Sequence, residues 1–161
     1  MVDFFKKIFG KKENKELEKE SITLPDGGEM TFRFSLTPQA MGYYDQGRLK
    51  EAMELLKEEE KHCREEGDKR ELARTLGVQA RILGDWDRFE EAIELLIEEE
   101  KICNELNDKE GEARSLFNQS LLICEKGHEK CLPMLNKALE VARESGSREI
   151  IDHISNVIEG L

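Results

Sequence analysis

Proline is nearly absent: the chain has three in 161 residues. So few breakers exclude a chain of many short strands and turns and leave room for long unbroken helices. Aromatic residues make up only 6%, with a single Trp. No apolar run reaches the roughly 20 residues that a membrane-spanning helix needs. Cations are outnumbered, 25 Lys and Arg against 36 Asp and Glu, for a formal net charge of -11. That balance argues against broad binding to a nucleic-acid backbone, which needs clustered positive charge. The first residues, MVDFFKKIFGKK, lack the apolar core and cleavage site of a secretory leader. The four cysteines therefore read as free thiols in a reducing, cytoplasmic compartment. No Ser-His-Asp grouping, phosphate loop or HExxH stretch is present, so no catalytic residue, cofactor or metal is expected.

What the chain does have is a repeat. RLKEAMELLKEEEKHCREEGDK (48–69) returns as RFEEAIELLIEEEKICNELNDK (88–109), 40 residues on, and 18 of 36 positions are identical when 48–83 is set against 88–123. The matches include Ala52/Ala92, Leu56/Leu96, Cys63/Cys103, Ala73/Ala113 and Leu76/Leu116. Two unrelated Glu-rich helices would share acidic residues by chance, but not small, apolar and Cys positions in register. Within a copy, Ala73, Leu76, Ala80 and Leu83 step by three and four, as do Phe89, Ala92, Ile93 and Leu96. That is the stripe of an amphipathic helix. Asp68 and Asp108 stand where N-caps would open the following helices.

A third copy, CLPMLNKALEVARESGS (131–147), fits an offset of 39, one residue having been lost in the turn from Cys124 to His128. Cys131 then aligns with Ala92, Leu135 with Leu96, Ala138 with Glu99 and Ala142 with Cys103. Pro133 falls near the expected helix start, where its missing N–H costs little. An earlier half-copy opens at Leu36, with Thr37-Pro38 as cap and first position. REIIDHISNVIEGL closes the chain as a last helix, apolar at Ile150, Ile151, Ile154, Val157 and Ile158.

The spacing Leu36-x3-Ala40-x2-Tyr43-x3-Gly47-x-Leu49-x2-Ala52 resembles the tetratricopeptide repeat. So do Leu76-x3-Ala80-x2-Leu83-x5-Phe89-x2-Ala92 and Leu116-x3-Ser120-x2-Ile123-x3-Gly127. The resemblance covers about 36–160, with a period nearer 40 than that family's usual 34 or so. Asp87 replaces the usual turn glycine, and Glu59 and Glu99 replace the usual second-helix alanine. The resemblance implies an all-α, right-handed superhelical solenoid of about three helix-turn-helix repeats and a C-terminal capping helix. It further implies a protein-binding scaffold whose concave groove holds a peptide or partner protein.

Two segments precede the repeats. Residues 1–20 read as a charged helix or tail, with Phe4, Phe5, Ile8 and Phe9 among Lys6, Lys7, Lys11 and Lys12. Either they anchor the protein to an anionic membrane surface, making it a membrane-surface adaptor, or they pack on the repeats or stay loose. Residues 21–35 read as an extended linker or a small hairpin around PDGG.

The resemblance points Tyr44, Arg74, Arg81, Arg114, Asn118 and Leu121 into the groove. Asn118 matches a position where the family often bonds a peptide backbone, and the arginines form a positive strip suited to an acidic peptide or a terminal carboxylate. The alternative is internal pairing, Arg74 with Glu59 and Arg114 with Glu99, which the shared repeat offset equally suits. Cys124, His128 and Cys131 fall short of the four ligands of a structural zinc site. Cys63, Cys103 and Cys131 read as small core residues. The last helix has apolar residues beyond one narrow stripe, enough to cap the repeats and to offer a face for a homo-oligomer.

Overall fold

The computed structural model describes residues 20–23, 29–32, 35–124 and 128–161. The chain divides into two units, 1–35 and 36–161. In the first, β1 (Glu20–Thr23) and β2 (Glu29–Phe32) form an antiparallel hairpin that pairs Glu20 with Phe32 and Thr23 with Glu29. Of the two readings of this segment, the hairpin is the one found, beginning one residue earlier than expected. The Phe4, Phe5, Ile8 and Phe9 cluster lies outside the described residues.

In the second unit every described secondary-structure element is a helix: α1 (Thr37–Asp45), α2 (Leu49–Glu66), α3 (Lys69–Asp85), α4 (Phe89–Glu105), α5 (Lys109–Cys124), α6 (His128–Ser145) and α7 (Arg148–Gly160). Each packs on the next in the chain; α1 also touches α3, and α5 touches α7. Between helices the backbone turns left-handed at evenly spaced positions: Gly47, Gly67, Asp87 and Asn107, with φ of 73°, 74°, 57° and 55°. The next described one, Gly146 at 75°, lies 39 residues after Asn107 (146 − 107) rather than 40, as the shortened third copy requires. Glycine suits this backbone; Asp and Asn are the side chains that tolerate it best.

Asp68 caps α3 by accepting the Glu71 amide at 3.0 Å, and Asp108 accepts the Gly111 amide at 3.0 Å one repeat later. At the start of α1, Thr37 and Pro38 are already helical and Leu36 takes the cap position without a side-chain bond. Pro133 also departs from expectation: α6 begins at His128, so the proline lies inside the helix, more than a turn from its start.

Burial confirms the register. Ala92, Leu96, Glu99 and Cys103 are all sealed, and so are their counterparts at an offset of 39, Cys131, Leu135, Ala138 and Ala142. Removing the apolar side chains among them from water is the main stabilising term, whereas burying the Glu99 carboxyl opposes it. Ile154 anchors α7 in the same cluster as Leu135 and Ala142, with Ile150, Ile151, Val157 and Ile158 half-buried around it. Successive hairpins are also joined by a repeated polar contact. The Gln79 amide on α3 donates to the Leu56 carbonyl (3.1 Å) and the Glu60 carboxylate (2.9 Å) on α2. Gln119 on α5 does the same with Leu96 (3.4 Å) and Glu100 (2.9 Å) on α4. These amides are buried, and leaving them unpaired would cost about 1–3 kcal/mol each.

The expectation of four free thiols is corrected. Cys124 at the end of α5 and Cys131 near the start of α6 form a disulfide, with Cα atoms 5.1 Å apart. The packing of α5 against α6 brings the two positions within bonding reach. Cys63 and Cys103 take no part in a disulfide and are buried, as expected of core thiols.

Candidate functional site

The helices that begin each hairpin, α1, α3 and α5, carry the six residues expected in a groove. Arg74 and Arg81 are seven apart on α3; Arg114, Asn118 and Leu121 are four and three apart on α5. Each set therefore follows one face of its helix. The structure gathers four of them into two pairs. Arg81 stacks its guanidinium over the Tyr44 ring, 5.4 Å from the centroid. Burial raises the Tyr44 phenol above its ordinary range, helped by a hydrogen bond with Asp85. Arg74 and Arg114 belong to a different place.

Helices α3 and α5 make little direct contact, and between them opens a cleft of about 280 Å³ lined by Arg70, Ala73, Arg74, Cys103, Asp108, Glu110, Gly111 and Arg114. Three guanidinium groups face two carboxylates there, in a chain whose net charge is -11. Arg74 has 61% of its side chain exposed and reaches Glu71 at 3.3 Å on its own helix. Arg114 is 49% exposed. Asn118 is half-buried and Leu121 exposed, further along α5, and neither lines the cleft.

The internal pairing expected of both arginines forms at one of them. Glu99 Oε1 lies 3.8 Å from Arg114 Nη2. Arg74 instead takes Glu71, while Glu59 accepts the Leu36 amide at 3.1 Å and the Cys63 thiol at 3.7 Å. The reason is positional. Leu36 precedes the first helix, so its N–H has no carbonyl four residues back in a helix and Glu59 satisfies it. The counterpart of Leu36 one repeat on is Leu76, in the middle of α3, where the helix consumes the N–H. Glu99 finds no such donor. Its Oε2 is buried with no hydrogen-bond partner among the described residues. The nearby Ser115 hydroxyl donates to the Leu96 carbonyl at 2.6 Å, and its hydrogen-bonding pull on the Glu99 carboxyl is weaker than the pull of Arg114.

Glu99 is 1% exposed. Burial pushes its carboxyl up to about 7, against the pull of Arg114 and with the charge of Asp108 adding to the rise. The Cys103 thiol is likewise pushed up to about 12, by burial first and then by Glu99. A thiol held that far up is a packing group rather than a nucleophile. Among the described residues no group of three His, Cys, Asp or Glu side chains is placed to hold a metal; Cys124 and Cys131 are bonded to each other.

Sequence reasoning missed Arg70, although it sits one turn before Arg74 on the same face of α3. It also missed the lone oxygen of Glu99. A scan against protein-family models finds no match, and a search of curated proteins finds no similar sequence.

Proposed function

We propose that the protein is a binding scaffold of the tetratricopeptide kind, a right-handed superhelical stack of helical hairpins that holds an acidic segment of a partner protein. The observation that carries this reading is the cleft between α3 and α5, where Arg70, Arg74 and Arg114 gather in an otherwise acidic chain. Guanidinium groups bind carboxylates through paired, charge-assisted hydrogen bonds. Tyr44 and Arg81, at the contact of α1 with α3, extend the surface with an aromatic face. Asn118 and Leu121 offer an amide and an apolar contact further along α5. Nothing in this arrangement calls for a reaction, and the proposed role is binding alone.

The test is an array of acidic peptides, each with a free and an amidated C-terminus. It is probed with the intact protein and with an Arg70→Ala/Arg74→Ala variant of unchanged helical circular dichroism. Peptides held by the first and lost by the second place binding in the cleft. Equal retention by both overturns the reading. Among the described residues no helix is long and apolar enough to cross a membrane; the location we propose is the cytoplasm, against which the Cys124–Cys131 bond weighs. Alkylation trapping in fresh cell extract tests it, because a persistent Cys124–Cys131 bond points to an oxidising compartment.

A further inference from the structure

Glu99 and the cleft share a residue. Arg114 lines the cleft from α5 and is also the cation nearest the buried Glu99 carboxylate, at 3.8 Å. One guanidinium thus faces two ways, toward a ligand in solvent and toward a carboxylate sealed behind it. The sealed carboxylate is poorly served as an ion. Oε2 has no hydrogen-bond partner among the described residues, and the Ser115 hydroxyl, which draws on the carboxyl more weakly than Arg114, donates to the Leu96 carbonyl. The bare Cα of Gly77 on α3 is what leaves the carboxylate room.

The charged and titratable groups around Glu99 are few. From the α5 side come Arg114 and the cap residue Asp108, one favouring its ionised form and the other opposing it. On its own helix, Cys103 stays a neutral thiol, with Glu112 of α5 beyond it. From α3 the contact is Gly77, and the arginines of that helix, Arg70 and Arg74, line the cleft. Arg114 is therefore the principal cation holding Glu99 in its ionised form.

We propose that Glu99 is a proton-controlled competitor for Arg114: ionised, it holds the guanidinium at the back of the cleft, and protonated, it releases Arg114 to an anionic ligand. The inference rests on the cleft being the binding site. It adds a control, so that the cleft takes carboxylate-bearing ligands more tightly on the acid side of neutrality. By linkage the reverse also holds: an anion bound to Arg114 favours the proton on Glu99.

Two measurements on the full chain separate this control from the site itself. The first uses the free protein. The ¹³C carboxyl resonance of Glu99 and the Nε–Hε resonance of Arg114 are followed from pH 5 to pH 8. Both should move through one shared midpoint, and Glu99→Gln should abolish the movement at Arg114. An Arg114 signal that ignores the Glu99 titration overturns the proposal. The second uses a tetraglutamate peptide as probe, fully ionised at pH 6 and at pH 8. The wild type should bind it about five- to tenfold more weakly at pH 8, in the range of ordinary coupling. Glu99→Gln should bind with the pH 6 strength at both values. A wild-type affinity that is equal at the two pH values also overturns the proposal. If the peptide binds no variant at either pH while the two resonances still titrate together, the cleft reading fails and the proton-controlled pairing of Glu99 with Arg114 stands.

Discussion

Gly77 and Glu99 fill one volume between them: a Cβ placed on Gly77 would lie 2.9 Å from Oε1 and 3.0 Å from Oε2 of the buried carboxylate. The next copy solves the same contact with the sizes exchanged. Phe117 takes the position of Gly77 and packs on the cluster that contains Ala138, the counterpart of Glu99.

Gly77→Ala should therefore destabilise the protein although it improves helix propensity. Alanine in a helix interior gains about 0.8–1 kcal/mol over glycine, whereas overpacking costs about 1–3 kcal/mol. A net loss of roughly 1 kcal/mol is expected in urea unfolding. In a Glu99→Ala background the same substitution should turn stabilising. A Gly77→Ala effect of the same sign and size in both backgrounds would contradict the contact.

Stability should depend on pH through Glu99. Its folded value is pushed up to about 7, above the roughly 4.3 of an unfolded glutamate. The folded state then holds the proton more tightly. The contribution is fully present below about pH 4 and is lost as pH rises through 7, by up to roughly 4 kcal/mol. Glu99→Gln should flatten this slope, so that wild type and variant diverge in urea midpoint between pH 5 and pH 8. Parallel pH profiles would show that Glu99 is not the titrating group.

Asp87→Gly and Asn107→Gly should each leave stability unchanged or raise it by up to about 1 kcal/mol, because both turns are left-handed and glycine adopts that backbone without strain. Ala at Gly67, whose φ is 74°, should lower it by about 1 kcal/mol. Thermal melting of the three variants checks the ordering.

Reducing the Cys124–Cys131 bond, or replacing both residues by Ser, should cost about 2 kcal/mol, since the sequence separation is only 7 and so short a loop saves little chain entropy. Comparing the unfolding midpoint with and without reductant, and for the double Ser variant, reads this directly. Identical midpoints would mean that the thiols are already apart in solution.

The helices, their turns and the one-residue shift in the third copy were legible because each leaves a periodic mark. Ala52, Leu56 and Cys63 recur at a fixed offset, whereas PDGG leaves a hairpin and an extended linker both open, and only the structure shows 20–23 paired with 29–32. What the repeat obscured was any place where equivalent residues have unequal surroundings. Glu59 and Glu99 look interchangeable in sequence, but only Glu59 sits opposite a helix that is just beginning, with the Leu36 amide to receive it. Arg74 and Arg114 consequently part ways. Cys131 fills the core position that its alignment with Ala92 predicts, but that alignment carries no sign of its bond to Cys124. Of the six residues expected in a groove, Arg74 and Arg114 meet in the cleft and Tyr44 meets Arg81. Asn118 and Leu121 lie apart from both because the cleft ends earlier along α5.

The joint between hairpins has one further implication. Gln79 and Gln119 reach from the first helix of a hairpin to the second helix of the hairpin before, onto the Leu56 and Glu60 pair and the Leu96 and Glu100 pair. The hairpin of α3 and α4 thus carries both halves of the fastening, a plug on one edge and a socket on the other. A duplicated copy of it would arrive already able to mate on both sides, so this architecture can change length by whole hairpins without inventing a new interface.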